Sequence, residues 1–214
     1  MVKRKILFII LGIIVLSIAI GIVYIFTPRK PADIVIDSSY VLPHLKDGDI
    51  ILRKGDAAWS VIFGDVSLTD KRFSHLGIVR IYDGYLSIIN SVGYLANRER
   101  GVEEVTLDNF LQPAKNIGVF RFKYADGSLI SDNAVKYIGR PFDWSFDITD
   151  DSRIYCTELL HAVLESTAPE YRLTTLFVDG INKEIIPLDS ISASDWFDEI
   201  FYIETDSNSK EKEK

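Results

Sequence analysis

A thiol, an imidazole and a carboxamide can serve as nucleophile, base and orienting group, and this chain offers one of each at suggestive positions. Cys156 is its only cysteine. It stands in RIYCTELLHAVLES, where Leu159, Leu160 and Val163 follow at helical spacing. Asp150, Asp151 and Ser152 precede it as candidate caps. The spacing puts the sulfur at a helix start, where the dipole and unpaired N–H groups favour a thiolate. The same N–H groups can hold a developing oxyanion. A free cysteine is often just a small core side chain, and at a helix start the two readings weigh about equally.

A thiol nucleophile needs a base. Of the three histidines, His75 in SHLGIVRIY shares a strand face with Gly77, Val79 and Ile81, with Gly77 leaving room beside the ring. His44 lies in the lead-in to the domain, and His161 points from another face of the Cys156 helix. Asp83-Gly84 reads as a two-residue hairpin turn. Tyr82 then pairs with Tyr85, and Asn90 falls diagonal to His75 on one sheet face. A slip of one residue would bring Ser91 there instead. An amide in that place orients a neutral imidazole, whereas a carboxylate would also stabilise an imidazolium. The plainer alternatives are a satisfied core histidine and an asparagine that merely ends a strand.

The elements that must position these groups follow from the pattern. Strands are expected over 47–54, 74–82, 85–92, 101–107, 116–123 and 199–205, and helices over 57–66, 107–112, 128–139 and the stretch from Cys156. Gly139 and Pro141 stop the third helix. Short links make the sheet mostly antiparallel, and the fold class is α+β. The 214 residues carry a net charge of -7, which argues against nucleic acid as a partner. One cysteine excludes an internal disulfide and a Cys-rich zinc site. No metal, no cofactor and no obligate protein partner are expected.

Lys3, Arg4 and Lys5 precede an apolar run from Ile6 to Phe26. At about 1.5 Å per residue that run is long enough for a bilayer core of about 30 Å. Without a small-residue cleavage site it reads as an uncleaved signal anchor over 1–27. A linker with Pro28, Pro31 and Pro43 follows over 28–45, then a domain over 46–205 and a polar tail over 206–214. Basic residues before the run outnumber Arg29 and Lys30 after it. The expected topology is therefore single-pass, with the domain extracytoplasmic.

Four stretches carry a family resemblance: GDIILRKG (48–55), FSHLGIV (73–79), INSVG (89–93) and GRPFDWSFDITDDSRIYCTELL (139–160), with a fainter echo in IIPLDSISASDWF (185–197). The chain resembles the circularly permuted papain-like amidases of the YaeF/YiiX type, relatives of the NlpC cell-wall hydrolases. The His–polar–Cys order is the permuted one. The resemblance implies a permuted papain-like fold and a cysteine-type amidase or peptidase acting through an acyl-enzyme. Cys156 corresponds to the nucleophile, His75 to the base and Asn90 to the third polar position, where some relatives carry Glu. Glu158 and Asp143 match recurrent positions that imply support of the site, and Tyr155 is expected to shape its oxyanion site. The implied substrates are cell-wall peptides or, as the alternative, an acyl lipid or N-acyl compound. A catalytically weak lipid- or peptide-binding module with the same cleft is the remaining reading.

Overall fold

Alternating apolar residues build the sheet that organises the domain. The computed structural model describes residues 36–55, 67–93, 100–112, 114–172, 174–179 and 182–205. The strands are β1 (Ile50–Gly55), β2 (His75–Tyr82), β3 (Tyr85–Ser91), β4 (Val102–Val105), β5 (Ala114–Phe122), β6 (Leu176–Val178), β7 (Lys183–Ile185) and β8 (Phe197–Glu204). Six of them form one antiparallel sheet in the order β4-β3-β2-β1-β5-β8, while β6 and β7 pair separately. The helices are α1 (Ser38–Val41), α2 (Leu107–Leu111), α3 (Gly127–Val135), α4 (Cys156–Thr167) and α5 (Asp189–Ser192). The α+β, mostly antiparallel architecture expected from the pattern is the one observed.

The centre of the sheet is buried on both faces, which is why Ile50, Ile51 and Leu52 run without alternation. On one face Ile50, Leu52, Leu76, Ile78 and Ile89 pack with Leu159, Leu160, Val163 and Leu164 of α4 and Ile130 and Ala134 of α3. On the other, Ile51, Val79, Ile88 and Val119 pack with Val41, Leu107, Phe110 and Leu111. Each such side chain removed from water contributes about 1.5–3 kcal/mol. These two layers fix where the start of α4 meets the sheet.

The β2–β3 hairpin forms in the register read from its turn, with Tyr82 opposite Tyr85 and Ile78 opposite Ile89. Asp83 and Gly84 both adopt positive φ, 49° and 79°, as a turn matching the strand twist requires.

Other parts differ from the sequence reading. Residues 36–45, read as the end of a linker, hold α1 and a 3-10 turn (Leu42–His44), with Ile36, Val41 and Leu45 buried against the sheet. Asp37 caps α1 by accepting from the Ser39 N–H at 2.8 Å. Pro43 lies in the 3-10 turn rather than in an extended spacer. Strand β1 begins at Ile50, because Asp49 before it accepts two bonds from the Arg121 guanidinium, at 2.7 and 2.8 Å. The β6–β7 hairpin and α5 were not foreseen. The helix expected over 57–66 and the anchor over 1–27 lie outside the described residues. Among the described residues no helix is long and apolar enough to cross a membrane.

Candidate active site

The segment that delivers Cys156 is pinned on both sides. Ser91 Oγ, at the end of β3, donates to the Ile154 carbonyl at 2.6 Å, and the Ile154 N–H donates to the Pro141 carbonyl at 3.0 Å. Beyond the cysteine, Thr157 Oγ1 donates to the Ile186 carbonyl at 2.7 Å, and the Ile186 N–H donates to the Tyr155 hydroxyl at 3.0 Å. Tyr155 is the last extended residue before α4. Its N–H is satisfied by Glu158 Oε2 at 3.1 Å, so a carboxylate three residues into the helix closes the turn that carries the thiol. The expected caps do other work. Asp150 accepts from both the N–H and the hydroxyl of Ser152 in a turn of its own.

Across the sheet end, Asn90 Oδ1 lies 2.9 Å from His75 Nε2. An amide oxygen accepts only, so Nε2 carries the proton and Nδ1 keeps its lone pair. Asn90 Nδ2 points at the Glu103 carbonyl at 3.5 Å, which keeps the amide oxygen turned toward the ring. Phe110 stacks on the imidazole with ring centres 5.7 Å apart. The ring is thus held in one plane and one tautomer. Ser91, the alternative under a shifted register, faces the other layer and serves the Ile154 carbonyl. Gly77 does not open a cleft beside the ring as inferred; its missing side chain lets Ile88 and Phe110 pack in, since a Cβ there would lie 2.4 Å from Ile88 Cγ2 and 3.0 Å from the Phe110 ring.

The Cys156 sulfur faces the backbone N–H of Leu76, the residue next to His75 in β2. Among the described residues no hydrogen bond joins the sulfur to the His75 ring. Burial pushes the thiol up to about 11, partly opposed by the N–H groups of Leu76, Thr157 and Cys156 itself and by the Arg53 charge. The sequence expectation that the helix start holds a thiolate is therefore reversed: desolvation outweighs the dipole. Burial also pushes His75 down to about 3, helped by Arg53 and opposed by the Asn90 hydrogen bond. The resting pair is thiol and neutral imidazole.

Tyr155, Glu158 and Asp143 divide into separate roles. Burial raises the Tyr155 hydroxyl, which stays neutral and holds the Ile186 N–H. Burial also raises Glu158 to about 7, opposed by the Tyr155 N–H and reinforced by Asp143 and Asp151. Asp143 is fully buried and accepts from the Ser145 N–H and hydroxyl and from the Asp147 N–H, knotting the loop that leads to the cysteine. His44 stacks on Phe201 and His161 sits 3.7 Å from Glu165, so both are engaged elsewhere. Arg53, directly opposite His75 in the β1–β2 register, was missed by sequence reasoning. Beside the sulfur, Phe146, Tyr155, Ile185, Ile186 and Leu188 line a small apolar recess. Among the described residues no three His, Cys, Asp or Glu side chains group as metal ligands.

The sequence pattern of the family described as permuted papain-like amidase enzyme, YaeF/YiiX, C92 family, matches residues 44–182. The chain belongs to this family. The match spans His75, Asn90 and Cys156 in permuted order. The fold is also that of a crystal structure described as metalloprotein yiiX from Escherichia coli O157:H7. The two agree with a TM-score of 0.63 at 15% identity, over 76% of this chain and 99% of that one. No curated protein matches the sequence. Membership of the YaeF/YiiX family makes this a permuted papain-like fold of a cysteine-type amidase or peptidase family.

Proposed function

We propose that this member of the family is a cysteine amidase in which Cys156 attacks an amide carbonyl with His75 as base. The observation that carries the reading is the 2.9 Å contact between Asn90 Oδ1 and His75 Nε2, which leaves the lone pair on Nδ1. With a neutral thiol at rest, proton transfer accompanies attack. The S–H proton passes to His75 Nδ1 as the sulfur–carbon bond forms. The N–H groups at the start of α4 face the negative charge that develops on the carbonyl oxygen. His75 then returns the proton to the leaving amine, and the thioester is hydrolysed by a water that gives its proton to the same nitrogen. Asn90 holds the ring through each transfer without adding charge.

The family resemblance favours a cell-wall peptide as substrate, and the apolar run Ile6–Phe26 favours a tether that keeps the domain at an extracytoplasmic membrane surface. A second reading, hydrolysis or transfer of an N-acyl or lipid acyl group, is supported by the apolar recess beside the sulfur. Intact-mass spectrometry after incubation with muropeptides and with N-acyl amides separates the two. An acyl adduct on Cys156 that is absent in Cys156→Ala identifies the donor. If neither class gives an adduct or turnover, the amidase reading is wrong.

A further inference from the structure

We propose that the outer side of α4 carries a second ligand site, for a small zwitterion such as a short peptide with both ends free, and that its occupant bears on the turn holding Cys156. Glu158, His161, Ala162 and Glu165 recur at the spacing of one helix face. That face is opposite Leu160 and Val163, which pack with Cys156 toward the sheet. It forms part of the wall of a cavity of about 560 Å³, a volume usual for small-ligand sites. Cys156, His75 and Asn90 do not line it, so the cavity is separate from the proposed reacting groups.

The wall is charged in both signs. Arg140, Arg153 and Arg172 line it, and so do Asp151, Glu158 and Glu165. Among the described residues none of these guanidinium groups forms an ion pair with any of these carboxylates. Two of the cations are held in place. Arg140 lies 4.6 Å over the Tyr137 ring, and Arg172 Nη1 donates to the Pro169 and Tyr171 carbonyls at 2.6 and 2.8 Å. A simple anion in this cavity would meet three carboxylates, and a simple cation three guanidinium groups. A molecule carrying both charges balances both. Two further atoms point to the rest of the ligand. The Tyr171 ring is wedged against Phe122 and Trp196, yet its hydroxyl is buried without a hydrogen-bond partner, and so is His161 Nδ1. His161 Nε2 lies 3.7 Å from Glu165, which leaves Nδ1 as the acceptor. A peptide supplies an N–H for Nδ1 and an oxygen for the phenol, relieving two unpaired groups.

The same wall reaches the support of the thiol. Glu158 accepts from the Tyr155 N–H, the Ile154 carbonyl accepts from Ser91, and the Ile186 N–H donates to the Tyr155 hydroxyl. Glu158, Ile154 and Ile186 all line the cavity. A ligand ammonium near Glu158 keeps that carboxyl ionised and its bond to Tyr155 charge-assisted. A peptide with free ends is also the class of product that cleavage of a peptide amide releases, although the site itself does not rest on the amidase reading.

The probe is glycylglycine, added at neutral pH to the full-length chain in mild detergent with selectively labelled histidine. It should shift the His161 ring resonances. N-acetylglycylglycine amide, which lacks both end charges, should bind about tenfold more weakly. Arg140→Gln should weaken glycylglycine binding about tenfold, and Tyr171→Phe, which keeps the ring packing, about fivefold. Glycylglycine should also change the iodoacetamide rate at Cys156 in wild type, and not in Arg140→Gln at the same concentration. No His161 shift would overturn the site. Equal binding of the capped peptide, or unchanged binding in both variants, would overturn the zwitterion as its ligand. A His161 shift with an unchanged Cys156 rate would overturn the link to the turn. Absence of any acyl adduct on Cys156 would overturn the amidase reading alone, since the His161 shift is read without turnover.

Discussion

Replacing Asn90 by aspartate tests the electrostatic logic of the site with almost no change of shape. The side-chain oxygen lies 2.9 Å from His75 Nε2. Putting a full negative charge there, about 4 Å from the charge centre of the ring, gives about 4 kcal/mol at an effective dielectric near 20. That corresponds to about 3 pK units, which would carry His75 from about 3 to roughly 6. At the pH where Cys156 ionises such a ring is already neutral, and the added negative charge opposes a thiolate, so the Cys156 inflection should rise rather than fall from about 11. The sign for stability follows as well. The folded pKa of His75 lies below its ordinary value of 6.5. Its neutral, enclosed state thus contributes stability above that value, which is lost as pH falls from 6.5 toward 3. Asn90→Asp should narrow this acid-sensitive window. The assays are NMR titration of selectively labelled histidine, iodoacetamide rates against pH, and urea melts at pH 4 and 7. A His75 ring in Asn90→Asp that stays neutral over the whole range, with an unchanged alkylation profile, would refute the claim that this contact governs the base.

Three further outcomes follow from contacts around the cysteine. Ser91→Ala leaves the buried Ile154 carbonyl without its 2.6 Å donor and should cost about 1–3 kcal/mol in urea melts, with a change in Cys156 alkylation rate as the preceding segment loosens. Glu158→Gln keeps an acceptor for the Tyr155 N–H; because burial raises the folded pKa of Glu158 to about 7, wild-type stability is lost as pH rises from about 4.5 through 7. The variant should match wild type near pH 4 and melt higher at pH 8, by an increment of about 1 kcal/mol after allowance for solvent screening. Gly77→Ala forces a Cβ against Ile88 and the Phe110 ring and should destabilise by about 1–3 kcal/mol while displacing the His75 ring, visible as altered histidine chemical shifts.

What the sequence disclosed depended on how local the determining chemistry was. Asp83-Gly84 has only one good turn, and that turn dictates the register that brings Asn90 to His75. The start of α4 was legible because its apolar residues repeat at helical spacing. Its cap was not, since Tyr155 is held by Glu158 ahead and by Ile186 from another part of the chain. The ionisation of Cys156 was misjudged for the same reason: a helix dipole is a local property, whereas desolvation comes from what packs over the thiol. Arg53 was invisible because nothing between β1 and β2 in sequence announces their pairing. The lead-in over 36–45 was read as a spacer because Pro43 looks the same in an extended linker and in a short helical turn.

The hairpin that unites His75 and Asn90 also sets a timetable. These two residues are 15 apart in the chain, joined by the tightest turn available. Cys156 is a long way off by comparison, since the segment before it is anchored to Ser91 at Ile154, 63 residues on. A chain emerging from its N-terminal end thus completes the oriented imidazole while the cysteine is still to be synthesised. The order of permutation makes the thiol the last of the three proposed groups to arrive, and it is buried only when α4 docks on a sheet whose β1, β2, β3 and β5 strands precede it in the chain. In the unpermuted order the reactive sulfur would wait, exposed, for its base; in this one the base waits for the sulfur.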